Sequence, residues 1–135
     1  MRYLGIDFGD ARIGLALSDS MGIIASGLEV HKVQSMDESA DYIAGLAKEK
    51  QVDVIVLGLP LNMDGSSGPR CERTKEFANL LGQKTGLKID FVDERLTTVE
   101  SEKILIEAGK SRDRRKELID MISATIILQN YLNRF

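Results

Sequence analysis

The sequence predicts an α/β fold: a mixed five-stranded sheet, built from a three-strand antiparallel meander plus parallel strands, with helices on both faces. Three observations predict it. The N-terminal part, up to His31, holds three apolar runs separated by short turn-like segments, with no helical spacing between them. From Ser35 onward, short apolar runs alternate with stretches whose apolar residues recur at helical spacing. The run Asp53-Val-Ile-Val-Leu-Gly58 is almost wholly apolar, which suits a strand buried on both faces of a parallel sheet.

The elements follow in order. Tyr3 to Asp19 begins apolar, turns through Gly9, Asp10 and Ala11, and becomes apolar again, the pattern of a hairpin. Asp19-Ser20-Met21-Gly22 predicts a turn, and Ile23 to His31 a third strand. Ser35 followed by Glu38 is a capping-box signature. Ala40, Ile43, Leu46 and Ala47 then give a helix an apolar face up to about Gln51. After the Asp53–Gly58 strand, Leu59 to Arg70 is a loop, and Pro69 fits the first turn of the next helix. Phe77, Leu80 and Leu81 form that helix's apolar face, and Gly86 fits its C-terminal stop. Lys88 to Asp93 is a further strand. Thr97 with Glu100 is a second capping box, opening a helix to about Gly109, and a last helix runs from about Lys116 to Asn133.

With 135 residues, 43% of them apolar, the chain suits one domain, residues 1–135, with a genuine core. No run of about 18 apolar residues is present, so no membrane span is expected. The start, Met1-Arg2-Tyr3, enters a strand pattern directly and is unlike a signal peptide. A single cysteine, Cys71, excludes an internal disulfide and a cysteine-based zinc site, and a lone His31 excludes a multi-histidine site. These points favour the cytoplasm. The net charge of −3 means that any contact with nucleic acid must use a local basic patch.

Three acids stand out. Asp7 lies near the end of the first strand, and a carboxylate at the end of a buried strand needs a metal ion, a basic side chain or a backbone N–H beside it. The ordinary alternative is an Asp that caps the Gly9 turn. Asp93-Glu94-Arg95 follows the last strand. Side chains alternate faces along a strand, so Asp93 and Glu94 cannot both point towards Asp7. The ordinary alternative there is a charged strand-to-helix connection. Asp120 lies in a helix that is apolar nearly all round, within its expected first two turns, where the N-terminal dipole suits an anion. Three such acids are what a magnesium nuclease needs, because Mg²⁺ prefers oxygen ligands. Two such ions about 3.5–4 Å apart can activate water and stabilise the leaving oxygen.

Two further stretches could hold phosphate. The loop Pro60 to Arg70 is rich in small polar residues and ends at a helix N-terminus, with Arg70 adding a charge. It is not a Walker loop, and an ordinary turn-rich connection explains it as well. Lys110-Ser-Arg-Asp-Arg-Arg-Lys116 carries five basic residues against one acid and would be the phosphate-backbone patch of an otherwise acidic chain. A solvated loop is the plain alternative. Cys71 fits packing at a helix start.

The order strand-strand-strand-helix-strand-helix-strand-helix-helix matches the ribonuclease H-like fold. Four stretches then resemble one family within it. They are Gly5-Ile-Asp-Phe-Gly-Asp-Ala-Arg-Ile-Gly14, Gly58-Leu-Pro-Leu-Asn-Met-Asp-Gly65, Asp93-Glu-Arg-Leu-Thr-Thr98, and Ile119-Asp-Met-Ile-Ser-Ala-Thr-Ile-Ile-Leu-Gln-Asn-Tyr-Leu132. Together they resemble the YqgF/RuvX family, described both as Holliday junction resolvases and as nucleases of precursor 16S ribosomal RNA. The one departure is Ser123-Ala124, where two alanines are usual. The resemblance implies a bacterial, cytoplasmic endonuclease dependent on Mg²⁺ or Mn²⁺, with Asp7, Glu94 and Asp120 as catalytic and metal-binding acids. On this reading Arg12, Arg70, Arg95, Lys110, Arg112, Arg114 and Arg115 bind nucleic acid.

The implied partners are precursor ribosomal RNA, with the assembling small ribosomal subunit around it, or branched DNA. The chain would act as a monomer or a homodimer, and symmetric cutting of a four-way junction would need the dimer. Two other readings stay open. The opening Leu-Gly-Ile-Asp-Phe-Gly also resembles the first phosphate loop of the actin and sugar-kinase ATPases, although those grip ATP between two such domains. A non-catalytic nucleic-acid-binding module on the same fold is the other.

Overall fold

The computed structural model describes residues 1–93 and 112–134, and for residues 112–117 the helical backbone alone. Strands β1 (Tyr3–Phe8), β2 (Arg12–Ser18) and β3 (Ala25–Lys32) form the meander. Helix α1 (Met36–Glu49), strand β4 (Val54–Leu59), helix α2 (Pro69–Thr85), strand β5 (Lys88–Asp93) and helix α3 (Arg112–Leu132) follow. The sheet order is β3-β2-β1-β4-β5. β1 runs antiparallel to β2 and parallel to β4, and β4 is parallel to β5. This is the mixed five-stranded sheet that the sequence predicts. The helix expected from Thr97 to Gly109 lies outside the described residues.

Local chemistry sets most element ends. Ser35 caps α1, its side chain accepting the Glu38 N–H at 3.1 Å. α2 opens with Pro69 in its first turn and stops at Gly86, which adopts the left-handed conformation at φ 69°. β3 starts two residues later than expected. The N–H groups of Ile23 and Ile24 donate to the Asp19 carboxylate at 2.7 and 2.9 Å, so they belong to the turn and not to the sheet ladder. The Ile24 and Ile23 N–H groups also hold the Asp19 carboxyl below its ordinary pKa. The last helix reaches further towards the N-terminus than expected, being helical already at Arg112 and not only from about Lys116. Arginine and lysine are good helix formers, so the basic run from Arg112 to Lys116 continues the helix towards the N-terminus.

The sheet separates two cores. Leu4, Ile6, Phe8, Ile13, Leu15, Ile55 and Leu57 face α1 and α2, where Ile43, Phe77 and Leu81 are fully buried. Phe8 stacks on Phe77 with ring centroids 4.5 Å apart. The other face carries Ala16, Val54, Val56 and Val92 against Ala124, Ile127, Leu128, Tyr131 and Leu132 of α3. β4 is therefore buried on both sides, as its apolar run requires.

α3 can lie this close because the sheet presents glycines to it. A Cβ on Gly5 would come 2.7 Å from Leu128 Cβ, and one on Gly27 would come 2.9 Å from Met121 Cγ. A Cβ on Gly14 would lie 1.9 Å from the carbonyl oxygen of Asp120, so α3 makes backbone contact with the sheet there. The C-terminal half of α3 is locked by Gln129, which accepts the Ala25 N–H and donates to the Ile23 carbonyl.

Candidate active site

Asp7 is the last but one residue of β1 and lies opposite Gly14 in the β1–β2 register. Strand alternation puts it on the α3 face, with Tyr3 and Gly5. The Gly14 contact sets the backbone of Asp120 directly over this point of the sheet. Two acids 113 positions apart in sequence are thus brought to one end of the sheet, around a single glycine. Both side chains are partly buried.

Arg12 completes the arrangement. It opens β2, two residues before Gly14 and on the same face, and its Nε donates to Asp120 Oδ2 at 2.6 Å. The Arg12 side chain is 37% exposed and that of Asp120 19%, so the pair is partly shielded from solvent. The sequence places Arg12 on substrate phosphate; the structure also pairs its Nε with an acid of the site. The expectation that the helix dipole favours Asp120 is also corrected. With α3 starting by Arg112, Asp120 is in the third turn, beyond the reach of the terminal charge, and Arg12 provides the positive partner.

The remaining candidates divide. Glu94, Arg95 and Lys110 lie outside the described residues. Arg112, Arg114 and Arg115 lie in the first turns of α3, and their side chains also fall outside the description. Asp93 pairs in register with Leu59, two residues beyond Leu57, so it belongs to the α1/α2 face and not to that of Asp7. The 60–68 loop closes on itself: Ser66 N and Oγ donate to Asp64 Oδ1, and Asn62 Nδ2 donates to Ser66 Oγ. Glu72 stands in the first turn of α2 and accepts from Ser67, putting a carboxylate at the helix end that the sequence offers to a phosphate. Arg70 is exposed beside it. Asp10, in the β1–β2 turn, reaches Arg73 of α2 at 3.2 Å. Cys71 is fully buried, and His31 stacks on Tyr42 and meets Glu38 at 3.2 Å.

The family model described as "RuvX: Holliday junction resolvase" matches residues 1–134. The chain belongs to the RuvX family. A relative from Halothermothrix orenii is 47% identical over 133 residues, covering 98% of this chain and 95% of its own, and is described as a "Putative pre-16S rRNA nuclease". A relative from Syntrophomonas wolfei carries the same description at 47% identity, with 98% and 94% coverage. Among solved structures, the chain resembles Thermus thermophilus RuvC in complex with a Holliday junction substrate, with TM-score 0.60 and 14% identity over 99% of this chain and 95% of that one. It also resembles the fowlpox virus resolvase bound to Holliday junction DNA, with TM-score 0.62 and 13% identity over 99% and 98%. At those identities the likeness establishes the ribonuclease H-like fold.

In this RuvX chain the described donors are two carboxylates, and among the described residues no cluster of three or more histidine, cysteine or acidic side chains forms. Hard oxygen donors suit Mg²⁺ or Mn²⁺, and a cationic guanidinium already rests on one of them. The sequence signal for this convergence was available in Gly14. A glycine inside a strand pattern marks close approach of another backbone, and here that backbone is the one carrying Asp120. Among the described residues, no helix is long and apolar enough to cross a membrane.

Proposed function

We propose that residues 1–135 form one nuclease domain that hydrolyses a phosphodiester bond near the 5′ end of precursor 16S ribosomal RNA in the bacterial cytoplasm. The observation that carries the reading is the meeting of Asp7 and Asp120 across Gly14. Asp7, Asp120 and Glu94 are the residues that would hold Mg²⁺ or Mn²⁺. When bound, the metal supplies Lewis-acid stabilisation and a lowered pKa for the attacking water. Asp7 is fixed by β1, and Asp120 by the α3–Gly14 contact. Arg12 orients the Asp120 carboxylate through Oδ2. Rigid elements supporting both acids favour the sub-ångström placement that such chemistry demands. Arg70, Arg95, Lys110, Arg112, Arg114 and Arg115 are the cations that would carry the rest of the RNA backbone.

Cleavage of a four-way DNA junction is the second reading, favoured by the description of the family model that matches the chain. One assay separates them. Purified protein with Mg²⁺ is offered labelled precursor ribosomal RNA and a synthetic four-way junction, with Asp7→Asn as control. Cutting of the RNA near the mature 5′ end, lost in the variant, supports the proposal. Paired symmetric nicks in the junction, made by a dimer, replace it with the second reading. Cutting that survives Asp7→Asn removes the metal assignment.

A further inference from the structure

Resting on the nuclease reading above, we propose that Lys32 and the groove between β2, β3 and the Leu118–Met121 stretch of α3 form a seat for one nucleotide of the RNA strand, beside the Asp7–Asp120 pair. The groove is lined by Arg12, Val30, Lys32, Leu118 and Met121, with a volume of about 280 Å³. That is at the small end for a ligand site, sized for one nucleotide and not for a longer segment. Its floor and one wall are apolar (Val30, Leu118, Met121), and its rim is cationic. A sugar–base edge and a phosphate need that combination.

The charge pattern points to an anion. Arg12 and Lys32 lie directly opposite one another on antiparallel strands, and so on the same face of the sheet. Like charges in that position oppose sheet formation. Asp120 offsets Arg12 through Nε alone. Lys32 is exposed, and among the described residues it makes no ion pair with a carboxylate. A phosphate between Lys32 and the terminal nitrogens of Arg12 would relieve the repulsion and bring the strand to the acids. The position fits: Lys32 ends β3 at the end of the sheet where Arg12 begins β2 and Asp7 nears the end of β1. A lysine on an edge strand can also serve to block edge-to-edge pairing, and β3 is an edge. That role predicts aggregation without loss of RNA binding when Lys32 is replaced.

The test measures binding of a fluorescein-labelled single-stranded RNA 12-mer to the full chain, in EDTA and again in Ca²⁺, across a salt series. Lys32→Glu and Lys32→Ala are compared with Lys32→Arg and with Lys48→Ala, an exposed lysine on α1 across the sheet. The expected result is roughly fivefold or greater weakening for Lys32→Ala, more for Lys32→Glu, and a log–log salt slope shallower by about 1. Lys32→Arg recovers the binding, and Lys48→Ala leaves it unchanged. In cleavage, Lys32→Ala raises KM more than it lowers kcat. Wild-type affinity and salt slope in Lys32→Glu, with metal-dependent cleavage intact, overturn the nucleotide seat and leave the nuclease reading standing. A wild-type protein that neither binds nor cuts RNA overturns both.

Discussion

Replacing Gly14 with alanine tests the geometry on which the site depends. The new Cβ would lie 1.9 Å from the Asp120 carbonyl oxygen and 2.2 Å from its carbonyl carbon. Real Cβ contacts essentially never fall under 3.0 Å, so β2 and α3 must separate by about 1.1 Å at this point. Both obstructing atoms are backbone, so no rotamer change can absorb the shift. Forced separation of a well-packed core costs about 1–3 kcal/mol. For a chain of this size that corresponds to a melting point lower by roughly 4–12 °C. The effect on activity should exceed the effect on folding. The displaced residue carries a proposed metal ligand, and a misplacement of about 1 Å can lower a rate by about 100-fold. The assay pairs thermal melting with Mg²⁺-dependent cleavage at a temperature where the variant is fully folded. Gly14→Ala with wild-type melting and wild-type cleavage would refute the close helix–sheet contact and the role given to it.

Three further outcomes are expected. Burial, then the hydrogen bond to Asp90, pushes the Tyr131 hydroxyl up to about 12, against about 10 in the unfolded chain. Because the folded state holds this proton more tightly, the contribution is intact below pH about 10 and is lost as pH rises through about 12. Melting of the wild type should therefore fall more steeply over that window than melting of Tyr131→Phe, and parallel curves would count against it. Arg12→Ala should lower stability by less than about 1 kcal/mol in chemical denaturation, because the Arg12 side chain is more than a third exposed; a loss of several kcal/mol would mean the pair is a structural anchor. Gly86→Ala should cost about 1 kcal/mol although its Cβ would meet nothing within 4 Å, since only the left-handed φ of 69° opposes it. Thermal melting that is unchanged would show that α2 can end another way.

The sheet was legible because its signals are local. The β1–β2 turn, the uniformly apolar β4, the Ser35 cap and the Pro69 and Gly86 ends of α2 each announce themselves within a few residues. Structure departs from sequence pattern where a distant or competing partner decides. Asp19 draws the Ile23 and Ile24 N–H groups out of the β3 ladder. The basic run before Asp120 has the composition of a loop and the propensity of a helix, and it is helical from Arg112. At the site, the motif that carries the resemblance contains Asp7, Arg12 and Gly14, but nothing in its spacing shows that Arg12 turns to Asp120, 108 residues away. Lys32 lay outside every motif, and only the strand register places it opposite Arg12. The strand register puts Asp93 on the α1/α2 face, away from that of Asp7, while Glu94 lies outside the described residues.

The central claim is that Asp7 and Asp120 belong to one cation site. Calorimetric titration of Mn²⁺ into the wild type, Asp7→Asn and Asp120→Asn, each shown to be folded by its melting curve, tests this most directly. The account predicts saturable binding in the wild type that is weakened at least about tenfold by either substitution, since each removes a charged oxygen donor from the same ion. Asp120→Asn binding Mn²⁺ as the wild type does, with Asp7→Asn impaired, would contradict it: Asp120 would then be the structural partner of Arg12 and no part of a metal centre.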